Sequence, residues 1–157
     1  MQPSPKEDDA PCRRELMGLV ARASRAQIAE SLARLADVPD FEDLRAPEVG
    51  LVMLRGRIAG SGAPFNLGEA TVARAAVRLP SGEIGFSYVL GRDIEKARLA
   101  ALADALWADE GRRTEVEEKL VAPLRAFFAE QDRASARRTA ATKVDFFTMT
   151  RGEDETA

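Results

Sequence analysis

The sequence predicts an α+β fold built around a central antiparallel sheet, and three observations carry that prediction. Residues 49–91 alternate apolar and polar or small positions with a period of two. Apolar stripes at helical spacing precede and follow that stretch. Short turns rich in glycine and proline separate its three alternating runs, as in a strand meander. The expected whole is an N-terminal helical hairpin, a sheet of about four or five strands, two helices and a C-terminal strand.

Residues 1–10 contain two prolines and the acidic trio Glu7, Asp8 and Asp9 without apolar periodicity, so they read as a disordered tail. Residues 11–150 read as one α+β domain and 151–157 as an acidic tail. Pro11 suits a first helical turn, and Leu16, Leu19 and Val20 form the stripe that follows it. Ser24 with Gln27 makes a capping box for a second helix, whose stripe is Ile28, Leu32 and Leu35 and whose limit is Pro39.

A short strand is expected from Phe41 to Arg45, ended by Pro47. From Val49 to Ile58, Val52, Leu54 and Ile58 face one way; Leu51, Met53, Arg55 and Arg57 face the other. The turn from Ala59 to Pro64 is either a plain hairpin loop or a hollow of backbone N–H groups able to take an anion; it lacks the GK[ST] of a phosphate loop. Phe65 to Leu79 is a long strand bulged near Gly68, with Val72, Arg74, Ala76 and Arg78 on one face. After Pro80-Ser81-Gly82, bulky Ile84, Phe86, Tyr88 and Leu90 alternate with Gly85, Ser87 and Val89, which leaves one face shallow enough for a helix to lie close.

Asp93 should cap the next helix, with Ile94, Leu99, Leu102 and Leu106 on its buried side and Gly111 at its end. Thr114 and Glu117 suggest another capping box, before a stripe of Val116, Leu120, Val121, Leu124, Phe127 and Phe128 that Pro123 should kink or restart. Residues 130–143 read as a helical tail or exposed linker, and Lys143 to Thr150 as a strand. Phe146 and Phe147 point to opposite faces of that strand, with Met149 beside Phe147, so neither face suits water. It either joins the home sheet or inserts into a partner.

Composition narrows the chemistry. The 157 residues carry a net charge of −3 and no histidine, which excludes imidazole bases and Ser-His-Asp triads from this chain. Cys12 is the single cysteine, so disulfides within the chain and thiolate clusters are excluded as well. No apolar run approaches the roughly 20 residues of a bilayer span. The N-terminus lacks the basic start and apolar heart of a secretion signal, so a cytoplasmic location is expected. One tryptophan, one tyrosine and an acidic balance argue against nucleic acid as a partner. Between Gly50 and Arg92, however, five arginines face two glutamates, a local +3. Arg55, Arg57, Arg74, Arg78 and Arg92 are therefore candidates for binding phosphate or for an interface with an acidic partner. Arginines on a solvated sheet face are an ordinary alternative.

The blocks GEATVARAAVRL, GRD at Gly91 to Asp93 and VDFFTM, within a likeness from about Arg13 to Gly152, resemble the G subunit of the bacterial carbon–phosphorus lyase core complex, the PhnG family. The resemblance implies a hetero-oligomer with H, I and J subunits, most directly the I subunit. It implies that the I subunit, supported by G, H and L, displaces adenine from ATP with methylphosphonate, giving α-D-ribose 1-methylphosphonate 5-triphosphate. No cofactor is implied for this chain; the iron–sulfur cluster and S-adenosylmethionine belong to the J subunit. The family supplies no catalytic residue to carry over. Two roles stay open: a non-catalytic, accessory subunit of a transferase complex whose sheet and Phe146, Phe147 and Met149 form an interface, or a direct contributor of phosphate-binding arginines to a shared site.

Overall fold

The computed structural model describes residues 10–142 and arranges them as two helices, a three-stranded meander and a longer helical run. Helix α1 (Ala10–Arg22) is followed by α2 (Arg25–Ala33), joined at Ser24 by the expected capping box: the Gln27 N–H donates to Ser24 Oγ, and the Ser24 N–H donates to Gln27 Oε1 at 2.8 Å. Strands β1 (Glu42–Arg57), β2 (Pro64–Arg78) and β3 (Ile84–Leu90) pair antiparallel in that order. Helix α3 (Ile94–Ala108) follows, then α4 (Arg113–Val116), a π-turn (Glu117–Val121) and α5 (Ala122–Ala141) in one continuous run.

Among the described residues the sheet has three strands, where four are expected, because two expected strands are one. The 16-residue β1 takes in both Glu42–Arg45 and the stretch from Val49. Its register with β2 jumps between Asp43 and Arg45 and again between Arg45 and Glu48, so Pro47 sits in a bulge and asks no donor of the ladder. A third irregularity, between Leu54 and Arg55, skips Leu67 of β2 beside Gly68, where the bulge was expected. The strand expected over 143–150, with Phe146, Phe147 and Met149, and both tails apart from Ala10 lie outside the described residues.

Helix α3 lies on the small-residue face of β2 and β3. Ala73, Ala75, Val77, Ser87 and Val89 are buried against an alanine-rich surface that includes Ala97, Ala100, Ala101 and Ala105. The approach is close enough for Ser87 Oγ to donate to the Ala97 carbonyl at 2.6 Å. Helices α1 and α2 and the run from Val116 to Phe128 complete the core through Leu16, Val20, Ile28, Leu120, Val121 and Leu124.

Helix ends divide between expectation and correction. Asp93 caps α3 by accepting from the Lys96 N–H. That helix ends at Ala108 with Asp109 as its C-cap, two residues before the expected Gly111. Thr114 makes no capping box; it lies inside α4, whose N-cap is Arg112. Pro123 stands in the first turn of α5, so the α-helical ladder restarts there as expected, within a continuous run. The wider π-turn ends just before it, where the missing proline N–H interrupts the normal ladder. Beyond Phe128, α5 is almost wholly exposed out to Ala141.

Candidate functional site

Pairing with β2 determines where the candidate arginines stand. Arg74 lies opposite Glu48 and Tyr88, and Arg78 opposite Glu42 and Ile84, on the face of the sheet turned away from α3. Arg55 and Arg57 lie at the far end of β1, opposite Asn66 and Pro64, and strand alternation turns them to the other face. Arg55 is seven positions along β1 from Glu48, roughly 23 Å at the rise of a strand. Arg92 is exposed in the turn between β3 and α3. The chain does not gather the five guanidinium groups into one cluster.

Their local partners differ. Arg74 Nε donates to Glu48 Oε1 at 2.7 Å, and Arg45 approaches the same oxygen at 2.6 Å. The hydrogen bond from Arg74 holds the Glu48 carboxyl below the usual range, and the same bond raises the Arg74 guanidinium. Arg78 borders an open groove of about 370 Å³ shared with Asp40, Phe41, Glu42, Leu79, Pro80 and Gly82, whose carboxylates make it a poor anion cradle. Arg57 donates to the Gly62 carbonyl at 3.0 Å, and the Gly62 N–H is itself taken by the Ile58 carbonyl. That turn closes on its own backbone, as a plain hairpin loop does. No ion pair engages Arg55 or Arg92 among the described residues.

The larger feature is apolar. On the face away from α3, Phe86, Tyr88 and Leu90 are exposed, Leu90 to 78%. Beyond the reach of α3, the β1–β2 ribbon exposes Val49, Leu51 and Met53 on one side and Leu54 on the other, with Ile58, Phe65 and Leu67 around its tip. An uncovered apolar surface of this extent on an ordered sheet is a mark of an interface. Alternation revealed each face separately, but only the position of α3 shows which of them stays bare.

One buried ionic site was not foreseen. Asp104 of α3 accepts from Arg13 Nε at 2.8 Å and Nη2 at 2.6 Å, and its Oδ2 also accepts from the Phe86 N–H at 2.8 Å. The Arg13 guanidinium is raised, chiefly by this bond. The available signal was an acid among the alanines and leucines of α3, but its partner is 91 positions away. Cys12 is exposed. Among the described residues no group of three or more potential ligands is placed to hold a metal ion, and no helix is long and apolar enough to cross a membrane.

Comparison with known proteins agrees with the likeness seen in the sequence blocks. A family model described as phosphonate metabolism protein PhnG matches residues 11–152. A relative from Rhizobium meliloti (strain 1021), named alpha-D-ribose 1-methylphosphonate 5-triphosphate synthase subunit PhnG, is 51% identical over 145 residues, covering 90% of each chain.

Proposed function

The chain belongs to the PhnG family of phosphonate metabolism proteins, and we propose that it acts as an accessory, non-catalytic subunit of a ribose 1-methylphosphonate 5-triphosphate synthase. In this reading it works in the cytoplasm with H, I and J subunits and docks most directly on the I subunit. That neighbour carries out the exchange in which a methylphosphonate oxygen replaces adenine on C1′ of the ATP ribose. This chain brings no cofactor; the iron–sulfur cluster and S-adenosylmethionine serve the J subunit in the later cleavage of the carbon–phosphorus bond.

The observation that carries the proposal is the bare apolar surface of the ribbon and open sheet face, which favours association over a free-standing life. A second reading, in which arginines of this chain hold substrate phosphates, draws on Arg55 and Arg92, both exposed and without an ion pair among the described residues. Co-expression with H, I and J subunits and single Arg55→Ala, Arg74→Ala and Arg92→Ala variants separates the two. The scaffold role predicts that whatever complex forms releases adenine from ATP and methylphosphonate at the wild-type rate per assembled particle. A fall of about a hundredfold in an intact complex would instead favour the phosphate-binding reading.

A further inference from the structure

The two edges of the sheet are not equivalent. In an antiparallel strand, backbone groups of successive residues point alternately to the two neighbours. The Gly91 N–H donates to the Thr71 carbonyl at 2.9 Å, so Thr71 and its odd-numbered neighbours in β2 direct their backbone groups to β3. Their opposites in β1, namely Val49, Leu51 and Met53, therefore direct N–H and C=O away from the sheet. On the other edge, Ile84, Phe86, Tyr88 and Leu90 direct theirs outward by the same alternation, and Asp104 takes the Phe86 N–H while Arg13 locks that carboxylate. One edge is closed at its middle by a buried ion pair. Along the ribbon, no strand among the described residues pairs with the other edge.

Resting on the subunit reading above, we infer that a β-strand from another subunit of the synthase adds to the free edge of β1 at Val49–Met53. The chemistry of that strand follows from what it would lie beside. Side chains flanking the edge are apolar on both faces, with Val49, Leu51 and Met53 on one and Val52 and Leu54 on the other, so the incoming strand is apolar on both faces. Residues 49–68 hold two arginines and no carboxylate in a chain of net charge −3. Arg57 is held by a carbonyl and Arg55 has no ion pair among the described residues, so the strand or its flank supplies an acid near Arg55. An unprotected edge of this length and apolarity would otherwise invite unselective pairing.

Leu51→Pro and Leu51→Ala test the inference in the co-expressed complex. Proline removes an N–H that β1 does not give to β2, at an edge position where proline is tolerated. Alanine removes nearly the same side chain and keeps the N–H. Strand addition predicts that Leu51→Pro weakens co-purification about tenfold relative to Leu51→Ala, the scale of a net hydrogen bond or so. Equal behaviour of the two variants would overturn it. Hydrogen exchange on the wild-type chain gives a second measurement that needs no folded proline variant: the Leu51 amide should become protected on assembly. Assembly without that protection sinks strand addition and leaves the subunit reading intact, whereas failure of the wild-type chain to assemble removes both.

Discussion

A methyl group placed on Gly85 would stand 2.0 Å from the carbonyl oxygen of Ala101 and 2.4 Å from the Ala105 nitrogen. Strand β3 and helix α3 are therefore in backbone contact at this point, and neither side is a flexible side chain that could swing aside. Gly85→Ala must push α3 off the sheet over its alanine-lined face. The expected cost is roughly 3 kcal/mol, at the upper end of ordinary overpacking, read as a lower midpoint in urea denaturation. A change below about 0.5 kcal/mol would mean that α3 does not sit this close.

Asp104 ties three elements together through Arg13 of α1 and the Phe86 N–H of β3, and only 2% of its side chain is exposed. Asp104→Ala leaves that N–H and a half-buried guanidinium without their acceptor. Because Arg13 retains some access to water, the expected loss is about 3 kcal/mol, at the low end for breaking a buried pair. Asp104→Asn keeps an acceptor for Phe86 and should lose less. Denaturation of the two variants side by side checks the order.

Features decided within a few residues were legible in the sequence. The Ser24–Gln27 box, the Asp93 cap and the alternation of β2 and β3 each depend on neighbours in the chain. What failed depended on distant partners. Pro47 looked like a strand end, yet the register of β1 against β2 absorbs it in a bulge. Thr114 and Glu117 have capping-box spacing, but the helix starts earlier and the Trp107 indole donates to Glu117 Oε1 at 2.8 Å. For the candidate site, alternation paired Arg55 with Arg57 and Arg74 with Arg78 correctly on each strand. It could not supply the strand register that sets the two pairs far apart on opposite faces.

Helix α5 lies alongside α1 through two ion pairs, Arg125 with Glu15 at 2.6 Å and Arg22 with Asp132 at 2.7 Å. Hydrogen bonds from the arginines hold both carboxyls below their ordinary values of 4.5 and 3.8. A depressed folded-state value means that the contribution is present above the ordinary value and is lost as pH falls through the folded one. Both pairs are exposed, so the effect on global stability is small and screened by salt. Amide exchange in the C-terminal half of α5, relative to the core and corrected for intrinsic rates, should therefore rise below about pH 4.5. Glu15→Gln should reproduce part of that rise at neutral pH.

Leu51 and Leu90 are 60% and 78% exposed, on opposite faces of the sheet. Neither contributes much to the fold of the chain, because an exposed side chain loses little contact when replaced. The apolar surface to which they belong has a different consequence for a chain without partners, since burying each leucine against a second molecule is worth about 2 kcal/mol. The isolated wild-type chain is therefore expected to self-associate. A Leu51→Lys, Leu90→Lys double variant should stay monomeric at concentrations where wild type does not, with its denaturation midpoint almost unchanged, and should fail to co-purify with the other synthase subunits. Light scattering on the separate chains reads the first effect and affinity capture of the complex the last. A wild-type chain that remains a monodisperse monomer would show that this surface does not drive association, and a double variant that still assembles would place the interface elsewhere.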